Sequence, residues 1–315
     1  SRLRTGQGVG LLYAVNTFGA VLGSFLSGYY LIRLLGVNSS IYVTATANVA
    51  IGSLAWLLSL GIRPRPVIPG AAKRKQQGLA ALREQIARAQ ESPTVYSERV
   101  RTIALVGVFV AGFCAMAMEV LWSRVLVFVL GTSAYAFACM LTCFVLGLAL
   151  GSLLSSVLLV PRLKDPILAF GVIEFALALS ILGSIQMLGW LWALDAWVLE
   201  RIVDWKISFA GDSMVHFIDT LAVIIVPTVL MGMVFPVAVR ICAPVWETVG
   251  RRVGQVYASN TIGCVLGSAA AGFLVIPLLG LRNSFLVVVA ALFALAIALV
   301  ALSDKRHRTL AMAGT

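Results

Sequence analysis

The sequence predicts an all-α, polytopic membrane protein with about eight transmembrane helices, and three observations carry that prediction. Of its 315 residues 60% are hydrophobic and only 12% charged, giving a mean hydropathy of +0.99. The apolar runs are long enough to cross a hydrocarbon core of about 30 Å. They do not alternate apolar with polar residues as barrel strands do, so helices are left as the way to satisfy every backbone group in lipid. Finally, one stretch is present twice. Val9 to Ser40 and Val253 to Ser284 align without a gap at an offset of 244 residues and agree at 17 of 32 positions.

The shared positions are not merely greasy. Tyr13, Asn16, Thr17, Gly19, Gly23, Ser24, Gly28 and Gly36 recur as Tyr257, Asn260, Thr261, Gly263, Gly267, Ser268, Gly272 and Gly280, which marks an internal repeat. Gly19, Gly23 and Ser27 stand at i, i+4 and i+8, as do Gly263, Gly267 and Ala271, so each copy presents a small-residue face of the kind that lets membrane helices approach backbone to backbone. Asn16 and Asn260 need partners inside lipid, and two roles suit that cost equally: a fixed helix crossing, or a place in a polar cavity.

In chain order, the first span covers about 9–35 and the second about 41–60, joined by a turn at Gly36-Val37-Asn38. Gly61 to Arg101 then holds nine Lys/Arg, three Glu and four prolines. It reads as a basic cytoplasmic connector, with a polar stretch from Gln76 to Gln90 suited to a short helix, and it fixes the orientation of the later spans. The third span, about 102–129, carries Glu119 and Arg124. The fourth, about 133–160, carries the small-residue pair Gly147 and Gly151 and ends in the basic loop Pro161-Arg-Leu-Lys-Asp. A fifth span, about 167–188, contains Glu174. Beyond it Trp190, Trp192, Trp197 and Trp205 are interleaved with acids, as expected at the opposite membrane face, in a stretch suited to an interfacial helix. Pro227 and Pro236 mark a kinkable sixth span, about 216–241. The second repeat copy is the seventh span, and 285–302 the eighth. Every strongly basic connector then falls on one side, with both termini cytoplasmic.

The formal charge of +11 is explained by these topology-setting connectors, so no nucleic-acid partner is expected. Five cysteines lie in or beside apolar runs and read as small buried hydrophobes. Two histidines, His216 and His307, are too few for a metal or haem centre. No cofactor is expected. The glycine cluster from Gly6 to Gly10 has neither a preceding strand nor a following acid, so it is not a nucleotide loop. The start at Ser-Arg-Leu-Arg, close to the first span, suggests a fragment or processed product.

Spans one and two repeat as spans seven and eight, with four spans between the connector and the second copy. The arrangement resembles the major facilitator superfamily: residues 1–62 would be the last two helices of a first six-helix repeat, 63–101 its central connector, 102–303 a complete second repeat and 304–315 a basic tail. Glu119-Val-Leu-Trp-Ser-Arg124, Leu130-Gly-Thr-Ser-Ala-Tyr135, Met231-Gly-Met-Val-Phe-Pro236 and Val253-Gly-Gln-Val-Tyr-Ala-Ser-Asn-Thr-Ile-Gly263 together resemble the membrane region of bacterial fused spermidine-synthase-like proteins. That resemblance implies a bacterial inner-membrane domain, itself non-catalytic, normally accompanied by N-terminal helices and a soluble aminopropyltransferase domain. It implies a bundle that binds or passes a small cationic solute or tethers an enzyme. The alternative is a structural accessory subunit packed among other membrane subunits.

The polar candidates inside the bilayer are Glu119, Arg124, Glu174, Asn16, Asn260, Tyr13 and Tyr257. Glu119 and Arg124, five residues apart, suit a structural ion pair, an interfacial anchor, or a substrate or proton site. Glu174 suits either a polyamine or a neutral, hydrogen-bonded role. Tyr13 and Tyr257 extend the Asn16 and Asn260 ridges, where a repeat-built transporter would place its site. Gly19, Gly23, Gly147, Gly151, Gly263 and Gly267 are assigned to helix packing. His216 and Asp219 are expected at the interface.

Overall fold

The computed structural model describes residues 2–61, 96–201, 209–243 and 249–313, and no strand occurs among them. In order, its α-helices are α1 (Arg2–Leu26), α2 (Ile32–Gly61), α3 (Glu98–Leu130), α4 (Ala134–Leu154), α5 (Pro166–Arg201), α6 (Phe209–Cys242), α7 (Val249–Ala270) and α8 (Ile276–Ala313). Among the described residues, six helical runs are long and apolar enough to cross a membrane. Two of them, Gly8–Gly61 and Val249–Ser303, contain 54 and 55 residues, far more than the roughly 20 a single crossing needs. The fold is therefore that of an all-α polytopic membrane protein. Its apolar exterior includes Val226, Phe273, Leu278 and Ile297, all exposed, and that surface calls for a lipid bilayer as solvent. Most of the basic connector, including the stretch from Gln76 to Gln90, lies outside the described residues, as do the side chains of Trp192, Trp197 and Trp205.

The internal repeat is written into the backbone. A five-residue π-helical turn occurs at Ser27–Leu31 and again at Ala271–Val275. Gly36 interrupts the first long run with φ 74° and ψ 173°, and Gly280 interrupts the second with φ 74° and ψ 168°. Those angles belong to a region open almost only to glycine, which is why the same residue stands at both breaks. After each break a serine hydroxyl donates back to the glycine carbonyl, Ser40 to Gly36 and Ser284 to Gly280, both at 2.6 Å.

Two compact units are present. In Tyr29–Ser97, α2 is exposed along nearly its whole length from Ile41 to Gly61. The larger unit, Ser1–Gly28 with Glu98–Thr315, is a bundle with Trp122, Phe170, Met118, Ile224 and Leu292 fully buried. Glycines set its closest approaches. A Cβ on Gly151 would strike the Val229 carbonyl, one on Gly232 the Leu148 carbonyl and one on Gly147 the Thr228 side chain, so α4 and α6 touch backbone to backbone. Prolines 227 and 236 sit within a continuous α6, whose neighbours hold it in place.

α5 begins with a cap not anticipated from the sequence. The Asp165 carboxylate accepts from the backbone amides of Ile167 at 2.9 Å and Leu168 at 3.3 Å, and Pro166 occupies the first helical position, where its missing N–H costs nothing. The other carboxylate oxygen accepts from Ser303 of α8 at 2.5 Å, fixing the start of α5 to the latter part of α8. At this level the bundle is held by small-residue contact and hydroxyl-to-carbonyl bonds, each of the latter worth about 0.6 kcal/mol and up to about 1.7 in membrane proteins.

Candidate functional site

The two repeat helices, α1 and α7, share their sequence pattern but bury different faces. α7 lies parallel to α3 in a regular register: Arg252 meets Glu98 at 3.0 Å, Ser259 donates to the Leu105 carbonyl at 2.7 Å, and Gly263 and Gly267 face the backbones of Phe109 and Phe113. A Cβ at either glycine would collide with a phenylalanine carbonyl. Asn260 belongs to the same face, with its carbonyl and side chain against Gly112.

α1 lies antiparallel to α4. Gly10 meets Ser156 and Gly28 meets Ala138, and between them the hydroxyls of Ser24 and Thr142 share a hydrogen bond of 3.1 Å. Ser152 donates to the Gly10 carbonyl at 3.3 Å, and Ala14 and Thr17 are buried along the same line. The faces are complementary in use. Gly19 and Gly23 have no atom within 4 Å of a Cβ position, and neither do Gly254 and Gly272, the counterparts of Gly10 and Gly28.

The polar residues divide in the same spirit. The Tyr13 ring stacks on Phe235 of α6 at 4.7 Å, and Tyr257 meets the same ring edge-on at 6.4 Å, so the two repeat tyrosines converge on one phenylalanine. Cys264 lies within electrostatic reach of Tyr13 and of Glu119, and the Asn260 amide donates to its sulfur at 3.7 Å. Tyr13, Tyr257 and Asn260 thus lie around Phe235 and Cys264, where both repeat copies meet α6, with Glu119 of α3 within electrostatic reach of Cys264. The other candidates stand apart. Asn16 and Arg124 are exposed. Glu174 is fully buried on α5, with both carboxylate oxygens lacking a hydrogen-bond partner among the described residues, and Cys114 of α3 lies within electrostatic reach of it.

Phe235 and Asp219 carry parts of this geometry that were not anticipated from the sequence. Phe235 occurs in the Met231–Pro236 motif, but nothing in its spacing announces that two tyrosines more than 200 positions apart would meet it. Asp219, expected at the interface, is 1% exposed; it faces into the bundle beside Thr220, which is also buried.

A cavity of about 210 Å³ lies where α3 turns into α4, lined by Ser123, Thr132, Ser133, Met140 and apolar neighbours, with no charged group among its lining residues. Gly131 makes the turn with φ 77°, and the Ser133 side chain caps α4 by accepting from the Ala136 amide at 3.1 Å. This pocket is separate from the Tyr–Phe–Tyr cluster and from Glu174.

No protein-family model, curated protein or solved structure matches this chain. The fold and its apolar surface define the class: an integral membrane protein built as a helical bundle around a duplicated helix.

Proposed function

We propose that this chain is a non-catalytic membrane domain that assembles with further membrane helices and holds a partner at the bilayer, in the manner of the spermidine-synthase-like membrane regions it resembles. The observation that carries this reading is the paired occupancy of α1 and α7: α7 packs its glycines on the α3 backbone, α1 packs its own on the small side chains of Ser156 and Ala138, and on each the equivalent of its twin's packed face is left open. A glycine face is costly in a helix by about 1 kcal/mol per residue relative to alanine, and close helix contact is what offsets that cost. Eight spans, with the basic ends of α3 and α7 at the cytoplasmic side of a bacterial inner membrane, satisfy the positive-inside rule. The polar groups support the same reading, because Ser24, Ser152, Ser155 and Ser259 all have their hydroxyls committed to helix contacts, and the cavity holds no carboxylate.

The test is intact mass of the native protein in its membrane complex. Stoichiometric association with further membrane helices supports the assembly reading, whereas a chain that runs alone at 33.6 kDa removes it.

A second reading is favoured by one observation. Tyr13, Tyr257, Phe235 and Glu119 place aromatic faces and a carboxylate in one neighbourhood, and such groups suit an organic ammonium ion. Under this reading a polyamine binds the reconstituted chain and Glu119→Gln weakens that binding. Equal polyamine retention by Glu119→Gln and the unaltered chain excludes it.

A further inference from the structure

From the charge balance at the end of the bundle where α3 and α7 begin and α6 ends, we propose that Arg101 and Arg252 bind one phosphate-type oxyanion, carried by a lipid headgroup or free in solution, for which Glu98 is a displaceable stand-in. This does not depend on the assembly reading above. The first turns of α3 and α7 and the last turn of α6 carry Arg99, Arg101, Arg251, Arg252 and Arg240, and among the described residues of those turns the only carboxylate is that of Glu98. Arg99 and Arg251 are exposed, as charges that set topology should be. Arg101 and Arg252 are different: their side chains are only 10% and 14% exposed.

The two buried guanidinium groups close on one oxygen. Nη2 of Arg101 and Nη2 of Arg252 donate to the same carboxylate oxygen of Glu98 at 2.8 and 3.0 Å, and Nη1 of Arg252 donates to Gln255 at 3.2 Å. The Nε–H groups of both arginines are buried and have no acceptor among the described residues. Cys242, which ends α6 and is 2% exposed, lies within electrostatic reach of both, but a thiol is a weak acceptor. One carboxylate therefore faces two cations withdrawn from water, where a charge is paired or costly. Two converging planar forks of N–H donors suit an oxyanion with several oxygens better than they suit one carboxylate oxygen.

Glu98 is the movable part of the arrangement. Its side chain is 68% exposed while its two partners are buried, and a carboxylate so solvated holds its cations weakly. It gives way to an anion that brings more oxygens to the same place, and its turn into water opens the approach to both guanidinium groups. The position suits a lipid phosphate as well as a dissolved one. Arg101 directly precedes the apolar sequence Thr102-Ile-Ala-Leu-Val, and Cys242 closes the apolar run of α6, so a headgroup phosphate reaches the site without leaving its own leaflet.

The test uses the full chain in phosphatidylcholine nanodiscs, with phosphatidylglycerol mixed into the bilayer in one arm and inorganic phosphate added to the buffer in the other. Native mass spectrometry reads the bound anion, and amide exchange reads protection of the first turn of α3. One anion per chain is expected. Phosphatidylglycerol that stays bound against added phosphate assigns the site to a headgroup, and protection by phosphate in phosphatidylcholine alone assigns it to a soluble anion. Arg101→Gln and Arg252→Gln should each weaken binding about tenfold or more, whereas Arg99→Gln, which removes the same charge from an exposed position, should change it by less than about twofold. Glu98→Gln should tighten binding about threefold by removing the competing carboxylate. Because Glu98 is exposed, that variant keeps the fold and decides the matter if the arginine variants do not fold. Binding in neither arm, equal losses from Arg99→Gln and Arg101→Gln, or binding that Glu98→Gln leaves unchanged or weakens overturns the inference.

Discussion

α1 and α7 are two answers to one sequence pattern. Both carry Tyr-x-x-Asn-Thr-x-Gly-x-x-x-Gly-Ser, both run into a π-helical turn, and both reach a glycine at φ 74° before the next helix. Yet Gly263 and Gly267 are pressed against phenylalanine carbonyls, whereas Gly19 and Gly23 face open space. Local conformation follows from the residues themselves. Burial follows from which neighbour is there to receive them.

The largest expected effects separate the copies. Gly267→Ala and Gly263→Ala force a Cβ into a backbone carbonyl of α3 and should each destabilise the bundle by about 1–3 kcal/mol, the usual cost of overpacking. Gly23→Ala and Gly19→Ala should be neutral or stabilising by up to about 1 kcal/mol, because a helical glycine is replaced with nothing in the way. Reversible unfolding in mixed micelles reads the contrast, and equal losses in both copies would remove it. Gly151→Ala, which meets the Val229 carbonyl, is the positive control for a closed contact.

At the glycine breaks the comparison should vanish. Gly36→Ala and Gly280→Ala each place an L-residue at φ 74° and ψ near 170°, a strain of about 1–3 kcal/mol. Because the strain is local, the two losses should agree, and a clear inequality in the same unfolding assay would show that the repeat geometry depends on its surroundings.

The distinction also explains which features are legible in the sequence. The helices, the repeat and the break at Gly36 are legible because each rests on composition or on residues whose conformational needs are their own. The open and closed faces are not, since identical glycines stand on both. Nor is the meeting of Tyr13 and Tyr257 at Phe235, which depends on where α6 passes. Position near a span end points Asp219 to the interface, and packing puts it inside instead. Asp165 is readable in principle, for Asp followed by Pro is a helix-start signal, but its basic neighbours Arg162 and Lys164 make it look like part of a loop.

Smaller effects test the ends of the bundle. Asp165→Ala removes a cap and the Ser303 contact and should cost about 1 kcal/mol, with Ser303→Ala losing less; amide exchange in the first turn of α5 reports it. Glu98→Gln breaks pairs with Arg101 and Arg252 at 2.8 and 3.0 Å, but Glu98 is 68% exposed, so the loss should stay below about 1 kcal/mol and shrink further with salt. A larger loss would mean that the α3–α7 register depends on this charge rather than on its glycines.

The most direct measurement is thiol labelling by a lipid-soluble reagent at Gly23→Cys and Gly254→Cys, in a chain whose five native cysteines have been replaced. Both positions should label readily in the purified chain and become protected in native membranes, where the further membrane helices proposed above would cover both faces. Labelling that persists equally at both positions in native membranes would contradict the account.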